Sequence, residues 1–81
     1  MMTVVKFFGK ISEPMGAQVS FDMPPSGLAV GDLRKALAEA FDCEDIRHPS
    51  IRAAINEMIS TEIDCAMPQD DIAFLSPLSG G

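Results

Sequence analysis

A chain of 81 residues allows one domain with one small core. Twelve acidic side chains against six basic ones give a formal net charge of −6. That balance argues against nucleic acid or an anionic membrane surface as partner, because both demand a basic patch, and it suits docking on a basic protein. No leader-like segment precedes the first strand-like run, and no apolar stretch nears the roughly 18 residues that span a bilayer. The sequence therefore reads as a cytoplasmic protein whose two cysteines, Cys43 and Cys65, are free thiols.

Residues 3–8, "TVVKFF", are β-branched and aromatic and predict a strand. "GKISEPMG" supplies turn residues. In "QVSFDM" Val19, Phe21 and Met23 alternate with Gln18, Ser20 and Asp22, the pattern of a half-buried strand that pairs with the first as a hairpin. Pro24-Pro25-Ser26-Gly27 ends it. "AVGDLRKALAEAF" repeats apolar residues at helical spacing. Val30, Leu33, Leu37, Ala40 and Phe41 form the expected inner stripe, with Arg34, Lys35 and Glu39 opposite. Asp32 in the first turn suits the helix dipole. Residues 42–50 read as a polar loop. Residues 51–56 and 58–60 read as short strands joined by a turn at Asn56-Glu57. Pro68-Gln69-Asp70-Asp71 is a further turn, and "IAFL" at 72–75 is a last apolar strand.

The predicted order is β-β-α-β-β-β in a single domain, 1–81. Hairpins on either side of one helix imply an α+β sheet with that helix across one face. The first and last strands are the most apolar, which places them side by side in the middle of a mixed sheet. That arrangement is the β-grasp, or ubiquitin-like, fold.

Catalytic constellations are nearly absent. His48, the single histidine, precedes a proline in a polar loop. Asp42, Glu44 and Asp45 around Cys43 disfavour a thiolate, and Cys65 has no basic neighbour in sequence. With no CxxC pair or second ligand cluster, no metal site is expected. The acids Asp70-Asp71 and those near Cys43 read as a solvated rim, since paired carboxylates need a pocket to do acid–base work.

The sequence closes on "PLSGG". Two residues without Cβ atoms can pass through a channel too narrow for any side chain. A carboxylate carried on such a tail is a poor electrophile until adenylation activates it. A sulfur nucleophile can then displace AMP.

"VVKFFGKISE", "VGDLRKALAEAF", "AAINEMIS" and "DDIAFLSPLSGG" together resemble the MoaD/ThiS family of ubiquitin-like sulfur carriers over essentially the whole chain. The branch resembled most is the small subunit of molybdopterin synthase. The paired Phe7-Phe8 and the length set it above the thiazole-pathway carriers. Three positions depart from the family. Ser76 stands where a first proline is common before the tail, Gln69 where the last turn usually has glycine, and Leu28-Ala29-Val30-Gly31 where Thr or Ser often caps the helix.

The resemblance implies a non-catalytic, sulfur-donating subunit with its active site on the large subunit. The Gly81 carboxylate would be adenylated by an E1-like enzyme using ATP and converted to a thiocarboxylate. It would then give sulfur to a cyclic pyranopterin monophosphate in molybdenum cofactor biosynthesis. The tail, 76–81, would thread through Gly80, Ser79, Leu78 and Pro77. Phe8, Ile59 and Leu75 would form the partner face, and two small with two large subunits the assembly. This chain itself would bind no cofactor. Other readings stay open: a carrier for thiazole or another thiolation pathway, a modifier joined to lysines, or a plain β-grasp interaction module.

Overall fold

The computed structural model describes residues 1–76. β1 (Met2–Phe8) is followed by a 3-10 turn, Gly9–Ile11, and a single helical turn, α1 (Ser12–Met15). β2 (Gln18–Asp22), the two-residue β3 (Leu28–Ala29) and the main helix α2 (Val30–Ala40) come next. A second 3-10 turn, Glu44–Arg47, leads into β4 (Arg52–Ile55), β5 (Met58–Ser60), β6 (Cys65–Ala66) and β7 (Ile72–Leu75).

Five strands form one sheet in the order β2-β1-β7-β4-β5. β1 and β7 lie side by side and parallel in its middle, with Val5 beside Ile72 and Phe7 beside Phe74. The other pairings of this sheet are antiparallel. β1 and β7 alternate buried and more exposed residues, so period two sends Val5, Phe7, Ile72 and Phe74 to one face. That face joins Val30, Leu33 and Leu37 of α2 in one core. The Phe7 and Phe74 rings stack with centroids 6.1 Å apart. The expected β-grasp arrangement, with first and last strands central and the helix across one face, is the arrangement found.

Several local expectations are corrected. The segment after β1 is not plain turn. It winds into the 3-10 turn and α1, which bury Ile11 and Met15. The helix face is rotated from the expected stripe. It runs Val30, Leu33, Arg34, Leu37, Ala38, spaced i, i+3, i+4, i+7, i+8, while Ala40 and Phe41 are exposed. Arg34, expected outside, is only 8% exposed. Its Nη1 donates to the Ile46 carbonyl at 2.7 Å, its Nε and Nη2 hold the Glu62 carboxylate at 3.0 and 2.9 Å, and its guanidinium lies 5.4 Å from the Phe74 ring centre. The 42–50 segment buries Cys43 and Ile46 beneath its polar surface.

A second sheet, β3 with β6, has no counterpart in the sequence reading. It brings the 61–64 loop to the start of α2. There the Asp64 and Glu62 carbonyls accept from the Val30 and Gly31 amides at 2.8 and 2.9 Å. Backbone acceptors thus replace the side-chain cap that Ala29 cannot supply. Gln69 is not among the residues of positive φ, so its turn does not need the glycine common at that place.

Candidate functional site

The sheet face opposite α2 carries no second layer among the described residues. Register across four strands aligns Lys6, Ala73, Ala54 and Ile59 in one row, and Phe8, Leu75 and Arg52 in the next. Ala73 and Ala54 are the small residues of the first row. Between them and the larger side chains lies a depression of about 300 Å³, lined by Lys6, Phe8, Ala54, Glu57, Ile59, Asp71, Ala73 and Leu75.

Phe8 is 52% exposed and Ile59 64%. Leu75 is half-buried between them. A single exposed apolar side chain needs no explanation, but two exposed ones beside a half-buried third around one hollow do. The structure therefore brings together Phe8, Ile59 and Leu75, the residues expected on the partner face. Their charged rim is mixed. Lys6 meets Asp71 at 3.6 Å, Glu57 lines the hollow, and Arg52 adjoins Leu75. Two of the chain's acids, Glu57 and Asp71, thus stand at the edge of this hollow, with Lys6 and Arg52 among them.

Ser76 fixes the end of β7. Its amide donates to the Phe8 carbonyl at 3.0 Å, its hydroxyl donates to the same oxygen at 3.2 Å, and its Oγ accepts from the Ile11 amide at 3.0 Å. Gly9 makes this possible. Its φ is +80°, and a Cβ there would stand 2.5 Å from Ser76 Oγ and 2.8 Å from the Ser76 carbonyl oxygen. Sequence reasoning noted Ser76 only as a missing proline. The signal available was Gly9 directly after the exposed Phe8. Pro77, Leu78, Ser79, Gly80 and Gly81 lie outside the described residues.

The remaining candidates stay apart from this face. Cys43 is buried in the core and Cys65 is exposed beside β3, both as free thiols. The exposed His48 accepts from the Ser50 amide at 3.1 Å and meets its hydroxyl at 2.7 Å, a local turn contact. Among the described residues no helix is long and apolar enough to cross a membrane.

Solved structures similar to this one settle the architecture. A crystal structure of SAMP1 from Haloferax volcanii matches with a TM-score of 0.80 at 22% identity, covering 100% of both chains. The fold is the ubiquitin-like β-grasp. A Pyrococcus furiosus protein named "putative molybdopterin converting factor, subunit 1" matches with a TM-score of 0.76 at 15% identity, over 95% of this chain and 98% of that one. The Haloferax volcanii HVO 2177 protein matches with a TM-score of 0.75 at 18% identity, over 100% and 87%. At such identities the likeness is one of fold. No protein-family model matches the sequence, and no curated protein does.

Proposed function

We propose that this chain is a ubiquitin-like sulfur carrier, and that it serves as the small subunit of molybdopterin synthase. The observation that carries the reading is the apolar hollow of Phe8, Ile59 and Leu75 at the point where Ser76 anchors the last strand, immediately before a sequence ending in Gly80-Gly81. A carrier needs a surface that an enzyme can grip beside the tail it must reach. The Pyrococcus furiosus neighbour's name supports the molybdopterin branch.

The chemistry proceeds at Gly81. Its carboxylate oxygen attacks the α-phosphate of ATP on an E1-like enzyme, and pyrophosphate leaves. Hydrosulfide then attacks the acyl carbon, AMP departs with the bridging oxygen, the sulfur's proton passes to solvent, and a thiocarboxylate remains. The large synthase subunit takes the tail into its own active site, where the sulfur passes to the pyranopterin. This chain contributes docking and the reactive end, and the partners contribute the catalytic side chains.

Intact mass spectrometry of the chain from its native host tests the reading. The expected species is heavier than the free acid by the mass difference between sulfur and oxygen. Its absence under active cofactor synthesis would count against a carrier. Gly81→Ala is expected to impair charging, because a methyl group enters a channel shaped for glycine. Normal adenylation and sulfur transfer by that variant would contradict the threading of Gly80, Ser79, Leu78 and Pro77.

A second reading has its own support. Two of the matching structures are small archaeal modifier protein 1 from Haloferax volcanii, one covering 94% of this chain with a TM-score of 0.77. A modifier would form an amide between Gly81 and lysine amines of other proteins. Peptides bearing its C-terminal remnant on lysine would favour that reading over the synthase.

A further inference from the structure

A second depression, of about 420 Å³, adjoins the outer face, and Ile59 lines both hollows. Its walls hold Arg34, Arg47 and Arg52, all three arginines of a chain whose formal charge is −6. Two of them are already matched. Arg34 grips Glu62 through two hydrogen bonds, and Arg47 meets Glu44 at 2.9 Å and Glu39 at 3.8 Å. Arg52 is exposed and makes no ion pair among the described residues.

We propose that this depression receives a carboxylate side chain of the protein that docks on the outer face, with Arg52 as its partner. The inference rests on the reading of that face as the carrier's docking surface. Arg52 lies opposite Leu75 in the register, and the next residue, Ala53, pairs with Ser60 beside Ile59. A partner that covers Phe8, Leu75 and Ile59 therefore covers Arg52 as well. Covering a guanidinium without an acceptor strands an unpaired charge, so the partner must offer one.

The charge balance selects the kind of acceptor. Glu62, Glu44 and Glu39 already oppose Arg34 and Arg47, which leaves no surplus of positive charge for a dianionic phosphate. A single carboxylate matches the one charge that Arg52 has to spare, and its two oxygens fit the planar fork. Thr61 lines the same walls and its hydroxyl is a further donor, whereas the Ser60 hydroxyl already donates to the Met58 carbonyl at 3.0 Å.

Calorimetric titration of the chain with the E1-like adenylating enzyme of the same host tests this. Arg52→Glu is expected to weaken binding about tenfold or more, because it sets like charges against each other. Arg52→Ala should weaken it several-fold, and Arg52→Lys should fall between wild type and alanine. Thermal melts should be alike for all, since the side chain is exposed. Ile59→Ala runs alongside as the probe of the face itself. Weaker binding by Ile59→Ala with Arg52→Glu unchanged or tighter would overturn the carboxylate inference and leave the docking face standing. If neither variant altered the affinity, both would fall. A shift of the Arg52 side-chain NMR signal by inorganic phosphate, with Arg52→Glu binding the enzyme normally, would assign the site to a free anion instead.

Discussion

Gly9 and Ser76 form a contact in which each residue explains the other. The glycine is needed twice, for a φ of +80° and for the approach of Ser76. Gly9→Ala is therefore expected to destabilise the fold by about 2 kcal/mol or more, combining the left-handed penalty with a backbone clash. Ser76→Ala keeps the space but removes the acceptor of the Ile11 amide, and should cost about 1 kcal/mol. Urea denaturation of both variants checks the pair, and equal midpoints would show that the clamp contributes little. Arg34 teaches the opposite lesson about single residues. Helical spacing put it beside Leu33 and Leu37, yet its charge argued for the solvent side. Its burial depends on the Ile46 carbonyl and Glu62, 12 and 28 residues away in sequence, and no local pattern records such partners.

Elements with strong periodicity were legible, and elements made by distant pairing were not. α2, β1, β2 and β7 follow from alternation and helical spacing, because burial on one face imposes those periods. β3 and β6 are two residues each and exist only because they meet. The sequence carries no period for them, and the carbonyls capping α2 stayed hidden with them. The helix face itself was off by part of a turn, because Phe41 is large and apolar but lies beyond the last turn. Leu37 is fully buried on either placement. Leu37→Ala should cost roughly 2–5 kcal/mol, enough to unfold much of a domain that holds only about 5 kcal/mol in all. A melt matching wild type would refute that packing. The β4–β5 hairpin yields a prediction of the other sign. Asn56 and Glu57 both have positive φ, at 52° and 70°, as a two-residue primed turn requires. Asn56 is held there by bonds to Asp70 and Asp71, and Glu57 has no such compensation in its side chain. Glu57→Gly is expected to stabilise by about 0.5–1 kcal/mol, the relief of left-handed strain less the entropy of glycine. A lowered thermal midpoint would contradict it.

At the scale of the molecule, the sheet separates two tasks. One face buries the core against α2, and the other presents Phe8, Ile59 and Leu75 beside the end of β7. That division was readable from the pair Phe7-Phe8, since alternation must send one ring in and the other out. What composition could not reveal was the charge pattern, because a net −6 says nothing of where Lys6 and Arg52 lie. The consequence for binding is kinetic. Apolar anchors at the centre of an interface govern how fast a complex falls apart, whereas charges govern how fast it forms. Ile59, 64% exposed, makes little contact within the chain, so Ile59→Ala should leave stability within about 0.5 kcal/mol of wild type. In the proposed complex with a large synthase subunit the same truncation should cost about 1 kcal/mol or more, read as faster dissociation with association unchanged. Added salt should act on the other rate. It should slow association of wild type and variant alike, because exposed charges are screened beyond roughly 8–10 Å. Surface-plasmon kinetics at two salt concentrations separate these effects. A dissociation rate untouched by Ile59→Ala, together with association indifferent to salt, would mean that the sheet face is not the docking surface. Recognition would then have to reside in the tail alone.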